Sequence, residues 1–155
     1  MATQRGYRIS RTETPEMRAR EITVRILGLP KEHDPEVVIR AVGKGFESAS
    51  VSRLAEYIRV PEGDVLEAVD ISRSTFSRRK KAKRLTTEES DRVYRLTRLL
   101  GRAVAVLGDE AEARQWMQAP KRALGNVSPL IMARTDAGVQ EVEDLLGRIE
   151  FGIPS

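Results

Sequence analysis

Apolar residues recur at helical spacing through most of the chain, and the breaks between runs predict where helices begin and end. Val93, Leu96, Leu100, Ala103 and Leu107 fall at i, i+3, i+7, i+10 and i+14, a stripe along one helix face. Thr86 with Glu89 three residues on forms a capping-box pattern that opens this helix, and Gly108 closes it. Arg92, Arg95, Arg98 and Arg102 run along another flank, so the stripe is expected to face core or a second copy. A shorter helix restarts at Asp109, runs through Met117 and ends before Pro120. Ser128-Pro129 pairs an N-cap with proline at the first helical position. Thr135-Asp136 caps a last helix whose buried face is Val139, Val142, Leu145, Leu146 and Ile149.

Upstream, three helical runs follow in quick succession: Val51 to Arg59, Pro61 to Val69, and Ser72 to about Lys83. Links of one or two residues force large crossing angles between them. Ser72 is placed to cap the third run, and Ile71 before it can pack on Phe76 as a hydrophobic staple. Asp70 stands in the turn, where a left-handed φ is expected and aspartate tolerates it. The arrangement reads as a helix-turn-helix, with Pro61 to Val69 supporting and Ser72 to Lys83 as the recognition helix. An earlier helix opens at Asp34-Pro35, places Val37, Val38, Ala41 and Val42 on one face, and stops at Gly43. Gly43-Lys44-Gly45 is no phosphate loop, because Val38 stands where the loop's first glycine is needed. Ile22 to Leu29 is short and apolar, readable as a strand or an irregular covering segment. Residues 1 to about 20 are polar and aperiodic and predict a disordered or loosely docked arm.

Composition agrees with an all-α chain: of 155 residues, 40% are hydrophobic and 32% charged, but only 5% aromatic. The absence of cysteine and the single histidine, His33, exclude a disulfide framework, a thiolate nucleophile and a Cys/His zinc site. No cofactor or metal is expected. The carboxylates Glu88, Glu89 and Asp91 fit a capped, solvated helix start better than an acid–base pair, so catalysis is not expected either. Met1 to Arg20 carries five arginines and no apolar block, and the longest uncharged stretch, Ala123 to Ala133, holds Gly125, Asn126, Ser128 and Pro129. Neither a signal peptide nor a membrane span is predicted, and the expected location is the cytoplasm.

Charge sharpens the picture because it is concentrated. The chain carries +4 overall, yet Ile71 to Arg84 holds seven cations and no acid. Arg73, Ser74, Thr75, Ser77 and Arg78, at the start of the recognition helix, are the candidates for base edges and nearby phosphates, and Ser72, which caps it, is counted with the DNA-binding residues. Arg79, Lys80, Lys81, Lys83 and Arg84 are expected to meet the DNA backbone.

The C-terminal third carries an ordered series of residues. These are Trp116, Pro120, Ala123-Leu124-Gly125, Ser128-Pro129-Leu130, Thr135 with Gly138, and Leu146, Arg148, Ile149 and Gly152. With the block Ser72 to Glu89, this series resembles the antitoxins of the Xre/MbcA/ParS toxin-binding family, over about Gly45 to Gly152. Asn126 stands where that family often has a second glycine, and Asp70 replaces a common turn glycine. The resemblance implies a helix-turn-helix half that binds the module's own operator and a C-terminal half that blocks a toxin. The implied partner is a RES-domain toxin of the type that consumes NAD⁺ in relatives. Carried over, the tail Arg148, Ile149, Glu150, Phe151 and Gly152 would reach toward the toxin, with Trp116, Leu124 and Leu130 as further contacts. The expected organisation is an arm and first segment over 1–44, a DNA-binding region over 45–85, and a linking helix with toxin-binding domain over 86–155. A homodimer on a palindromic operator would set two recognition helices about 34 Å apart. The competing reading is a stand-alone regulator whose C-terminal domain only oligomerises.

Overall fold

The long helix predicted from the stripe forms the axis around which the other elements pack. The computed structural model describes residues 13–154 as α1 (Pro15–Leu27), α2 (Pro35–Lys44), α3 (Ala49–Ile58), α4 (Glu62–Ala68), α5 (Arg73–Ala82), α6 (Thr87–Leu107), α7 (Glu110–Gln118), α8 (Pro129–Met132) and α9 (Asp136–Glu150). A 3-10 turn covers Arg122–Leu124. Among the described residues there is no sheet, only two isolated antiparallel bridges, so the fold is all-α as expected.

Helix α6 is buried well beyond a single stripe. Val93, Leu96, Leu100 and Ala103 are inaccessible as predicted, and so are Leu99 and Val104; Leu107, at the end of the stripe, is only half-buried. The reason is enclosure: α1, α2, α3, α7 and α9 all pack against it. Thr97 is fully buried as well, and its hydroxyl donates to the Val93 carbonyl at 2.8 Å, which satisfies it in place. The stripe is therefore core.

The N-terminal expectations need correction. Ile22 to Leu29 is neither strand nor irregular: residues 15–27 form α1, capped by Thr14, with Pro15 in the first turn and Gly28 closing it at φ +70°. Ile22, Ile26 and Leu27 are buried against α6. The expected arm therefore ends by residue 14, and its predicted disorder over residues 1–12 lies outside the described residues. The β-branched run Ile22-Thr23-Val24 imitates a strand, and the first turns have almost no apolar signal. What selects the helix is tertiary contact, because Gly101 on α6 lets the backbone of Ala19 come close, 3.2 Å from where a Cβ would stand.

The three-helix run is present, but its links are longer than the one or two residues expected: Arg59 to Pro61 joins α3 to α4, and Val69-Asp70-Ile71-Ser72 joins α4 to α5, with Asp70 at φ +53°. Chain entry and exit are pinned together: the Leu85 N–H donates to the Phe46 carbonyl at 2.9 Å and the Ser48 N–H to the Lys83 carbonyl at 3.2 Å. Ile71 and Phe76 are both buried, in keeping with the staple.

In the C-terminal third, the spacing of Thr135 and Gly138 has a plain cause. The Thr135 hydroxyl accepts from the Gly138 N–H at 3.0 Å, and the Gly138 Cα lies against the Met132 carbonyl, where no Cβ fits. Gly138→Ala should therefore lower stability by about 1–3 kcal/mol through overpacking. Urea denaturation monitored by circular dichroism checks this, and a wild-type midpoint for the variant would contradict the packing described.

Candidate functional site

Helix α5 begins with a cap that its own sequence supplies. Ser72 Oγ accepts from the Thr75 N–H at 3.1 Å and donates to Thr75 Oγ1 at 2.9 Å, so this serine is committed to holding the helix start. With Phe76 buried, Ser74, Ser77, Arg78 and Lys81 stand at i, i+3, i+4 and i+7, all exposed on one outer face.

The basic cluster divides into two groups. Arg79 is structural: its Nε donates to both oxygens of Glu89 at 2.9 and 2.8 Å. Glu89, 5% exposed, also accepts from the Thr86 N–H at 2.9 Å while Thr86 Oγ1 accepts from the Glu89 N–H, so the capping box is complete. Burial alone pushes the Glu89 carboxyl up, but the Arg79 guanidinium and the Thr86 donors outweigh it and hold the carboxyl below its ordinary range. Arg84 donates to the Gly45 carbonyl at 2.7 Å, Lys80 pairs with Glu62 at 3.5 Å above the Phe76 ring, and the Arg73 guanidinium lies over Gly63. Arg78, Lys81 and Lys83 form no ion pair among the described residues. The helix-turn-helix turn is itself held from outside. Arg92 on α6 donates to the Val69 carbonyl at 2.7 Å, and Arg134, just beyond α8, pairs with Asp70 at 3.1 Å.

A second surface forms where α9 ends. Arg95, Arg98 and Arg102 on α6 pair in order with Asp136, Glu143 and Glu150 on α9, the last two at 3.1 and 2.6 Å. Three of the four arginines in the flank read from sequence thus form a ladder that aligns α9, and the fourth, Arg92, serves the turn. The helix closes as the Ile153 N–H donates to the Arg148 carbonyl at 2.8 Å, with Gly152 at φ +67°. Phe151 does not fold back on its helix: it is 77% exposed, and Ile153 is 54% exposed. Beside them Trp116, Lys121, Arg122, Ala123, Leu145 and Ile149 line an open groove of about 340 Å³. Lys121 Nζ sits 5.1 Å from the Trp116 ring centroid, and partial burial pushes its pKa down.

The predicted contact residues accordingly separate. Trp116, Ile149, Phe151 and Gly152 lie at this surface. Glu150 is tied to Arg102, and Arg148 is half-buried. Leu124 and Leu130 are each 5% exposed, belong to the core and do not line this groove. Lys121, Arg122 and Ile153 were missed. The motif pattern passed over them, although a basic pair after Pro120 and an apolar residue next to Gly152 are visible in sequence.

Known proteins carry the same two regions. The family described as "Antitoxin Xre-like helix-turn-helix domain" matches residues 37–98, and "Antitoxin Xre/MbcA/ParS C-terminal toxin-binding domain" matches residues 102–152. The chain is 34% identical over 142 residues to Antitoxin Xre of Yersinia enterocolitica serotype O:8 / biotype 1B, covering 90% of this chain and 95% of that one. It is 35% identical over 133 residues to Antitoxin Xre of Photorhabdus laumondii subsp. laumondii, covering 84% and 89%. Among solved structures, a chain of the M. tuberculosis MbcT-MbcA toxin-antitoxin complex shares the fold at a TM-score of 0.51 and 23% identity, over 70% of this chain and 96% of that one.

Removing the buried carboxylate tests the first surface's foundation. Glu89→Gln should cost about 2 kcal/mol, the scale of a charged hydrogen bond lost with its partner left behind. Because the folded carboxyl titrates below its unfolded value, its contribution is full above the ordinary carboxylate range of about 4 and fades as pH falls through the depressed folded value. Denaturant titrations from pH 7 to pH 3 should show the gap between wild type and variant closing in acid. A gap independent of pH would refute the assignment.

Proposed function

The chain belongs to the Xre/MbcA/ParS antitoxin family, and from that premise we propose that it holds a toxin at the groove and tail of α9 and represses its own operator through α5. It is a type II antitoxin that carries a helix-turn-helix. A RES-type toxin is the partner this reading favours, in line with the toxin-antitoxin complex in which the structural neighbour is found. The proteins named Antitoxin Xre support action by binding, without a reaction of the chain's own. The helix-turn-helix region is assigned to residues 45–85, and the linking helix with toxin-binding domain to 86–155.

The observation that carries the operator half is the outer face of α5. Ser74, Ser77, Arg78 and Lys81 form one exposed stripe beginning at the capped N-terminus, the end that enters the major groove in helix-turn-helix proteins. Of the eleven residues first assigned to DNA, Ser72 and Arg79 serve the fold, and Arg84, Lys80 and Arg73 are partly engaged within it. Sequence reading therefore belongs to Ser74, Ser77 and Arg78, with Thr75 beneath them, and phosphate contact to Lys81 and Lys83. Two copies on a palindromic site supply the two-fold symmetry such operators carry.

The toxin half rests on Phe151 and Ile153. They are large apolar side chains left in solvent beside a mostly apolar groove, the arrangement of an interface anchor. Co-expression with the adjacent open reading frame, followed by light scattering and a growth assay, tests the reading as a whole. A stable complex that rescues growth is expected. A harmless neighbour and no complex would leave a plain DNA-binding regulator.

Two substitutions separate the halves. Arg78→Ala should weaken operator binding by about 1–3 kcal/mol in a gel shift and leave toxin binding intact. Phe151→Ala should weaken the toxin complex by about 2 kcal/mol in calorimetry, with the operator affinity and the melting temperature of the free protein unchanged. Loss of both activities in either variant would contradict the division.

A further inference from the structure

Away from both surfaces, α1, α3 and α7 enclose a hollow of about 300 Å³ into which four arginines converge: Arg25, Arg53, Arg59 and Arg114. We propose that it binds a small phosphate-bearing anion.

Two of the four guanidiniums explain themselves. Arg53 Nε donates to the Ile26 carbonyl at 2.8 Å and its Nη1 to Glu47 at 3.2 Å, while Arg114 donates to the Tyr57 carbonyl at 2.5 Å and pairs with Glu110 at 3.6 Å. They cap the C-terminal carbonyls of α1 and α3, and with Gln118 on the Ile58 carbonyl those acceptors are taken. The other two are not explained in this way. Arg25 and Arg59 are exposed at the rim and their guanidiniums make no hydrogen bond or ion pair with the described residues, although that of Arg25 lies 5.4 Å from the Tyr57 ring centroid, against which Arg114 also rests at 4.7 Å. Arg53 Nη2 is buried without a partner. Buried donors are ordinarily satisfied, so that nitrogen is a departure, but the guanidiniums open to a solvent-borne acceptor are those of Arg25 and Arg59.

The chemistry of that acceptor follows from the lining. The unsatisfied groups are donors on planar guanidiniums, whose fork geometry matches phosphate oxygens. Burial first, and Glu110 second, push the Tyr57 hydroxyl up, so it stays protonated and adds no negative charge. Glu47 and Glu110 are paired with Arg53 and Arg114, and Glu56 is the one carboxylate among the residues lining the hollow, although Arg25 also lines a second hollow with Glu21 and Asp109. A compact anion with several oxygens, seated at the rim, can meet the Arg25 and Arg59 guanidiniums together.

Isothermal titration of the full chain with inorganic phosphate and with ADP, at matched ionic strength in chloride, tests this. Wild type should bind both at low salt. Equal affinities identify the phosphate alone as the recognised group, and tighter ADP binding identifies a nucleotide. Arg25→Gln combined with Arg59→Gln should weaken binding at least tenfold, while Glu56→Gln, which removes only the rim carboxylate, should tighten it about threefold. Both variants should keep the wild-type circular dichroism spectrum and operator affinity. No binding by wild type, or equal binding by all three proteins, overturns the proposal. Lost operator affinity in the double variant, with no phosphate binding by wild type, also overturns it and assigns these arginines to the DNA backbone.

Discussion

One buried carboxylate joins the two parts of this molecule that must not move against each other. Glu89 sits at the first turn of α6, receives the Thr86 N–H, and is gripped through both oxygens by Arg79 of α5. A lone carboxylate at that depth would be strongly disfavoured. Paired with a guanidinium and a backbone donor, it locks the recognition helix to the axis of the fold. The bridge of Leu85 to Phe46 and the Arg92 bond to the Val69 carbonyl act in the same sense, on the exit of α5 and on its preceding turn. The orientation of the exposed stripe on α5 is therefore fixed by contacts made on its far side.

Most of the helical layout was legible because caps and breaks are written in local sequence. Thr86 with Glu89, Ser72, Ser128-Pro129 and Thr135 each announce a helix start that the structure contains, and Asp70 takes the left-handed φ its turn position implies. Helix α1 was not legible, because its stabilisation comes from across the molecule. Ile22 and Ile26 pack on α6 where Gly101 admits Ala19, and nothing near residue 20 encodes a glycine eighty residues away.

The candidate site was legible in outline and blurred in detail for a related reason. A run of cations reads as one surface, yet Arg79 and Arg84 point inward to partners that lie ten or more residues away in sequence. Likewise Leu124 and Leu130 belong to a recognisable pattern, but in this structure both are buried and serve packing. Motif membership identified the neighbourhood, and burial decided which members face outward.

The two stretches that match known domains meet inside α6, with only Leu99, Leu100 and Gly101 between them, all three buried in an unbroken helix. A junction of that kind has no slack. A tethered pair of modules would let a captured protein diffuse around the DNA, whereas a chain that held DNA and toxin through this unbroken helix would act as a rigid lever with a set angle. For a lever docked in the major groove, operator spacing becomes a rotational coordinate: each base pair added between half-sites turns one cargo relative to the other by about 34°. The length of an operator's centre would then govern whether neighbouring cargoes share a face of the duplex or stand apart.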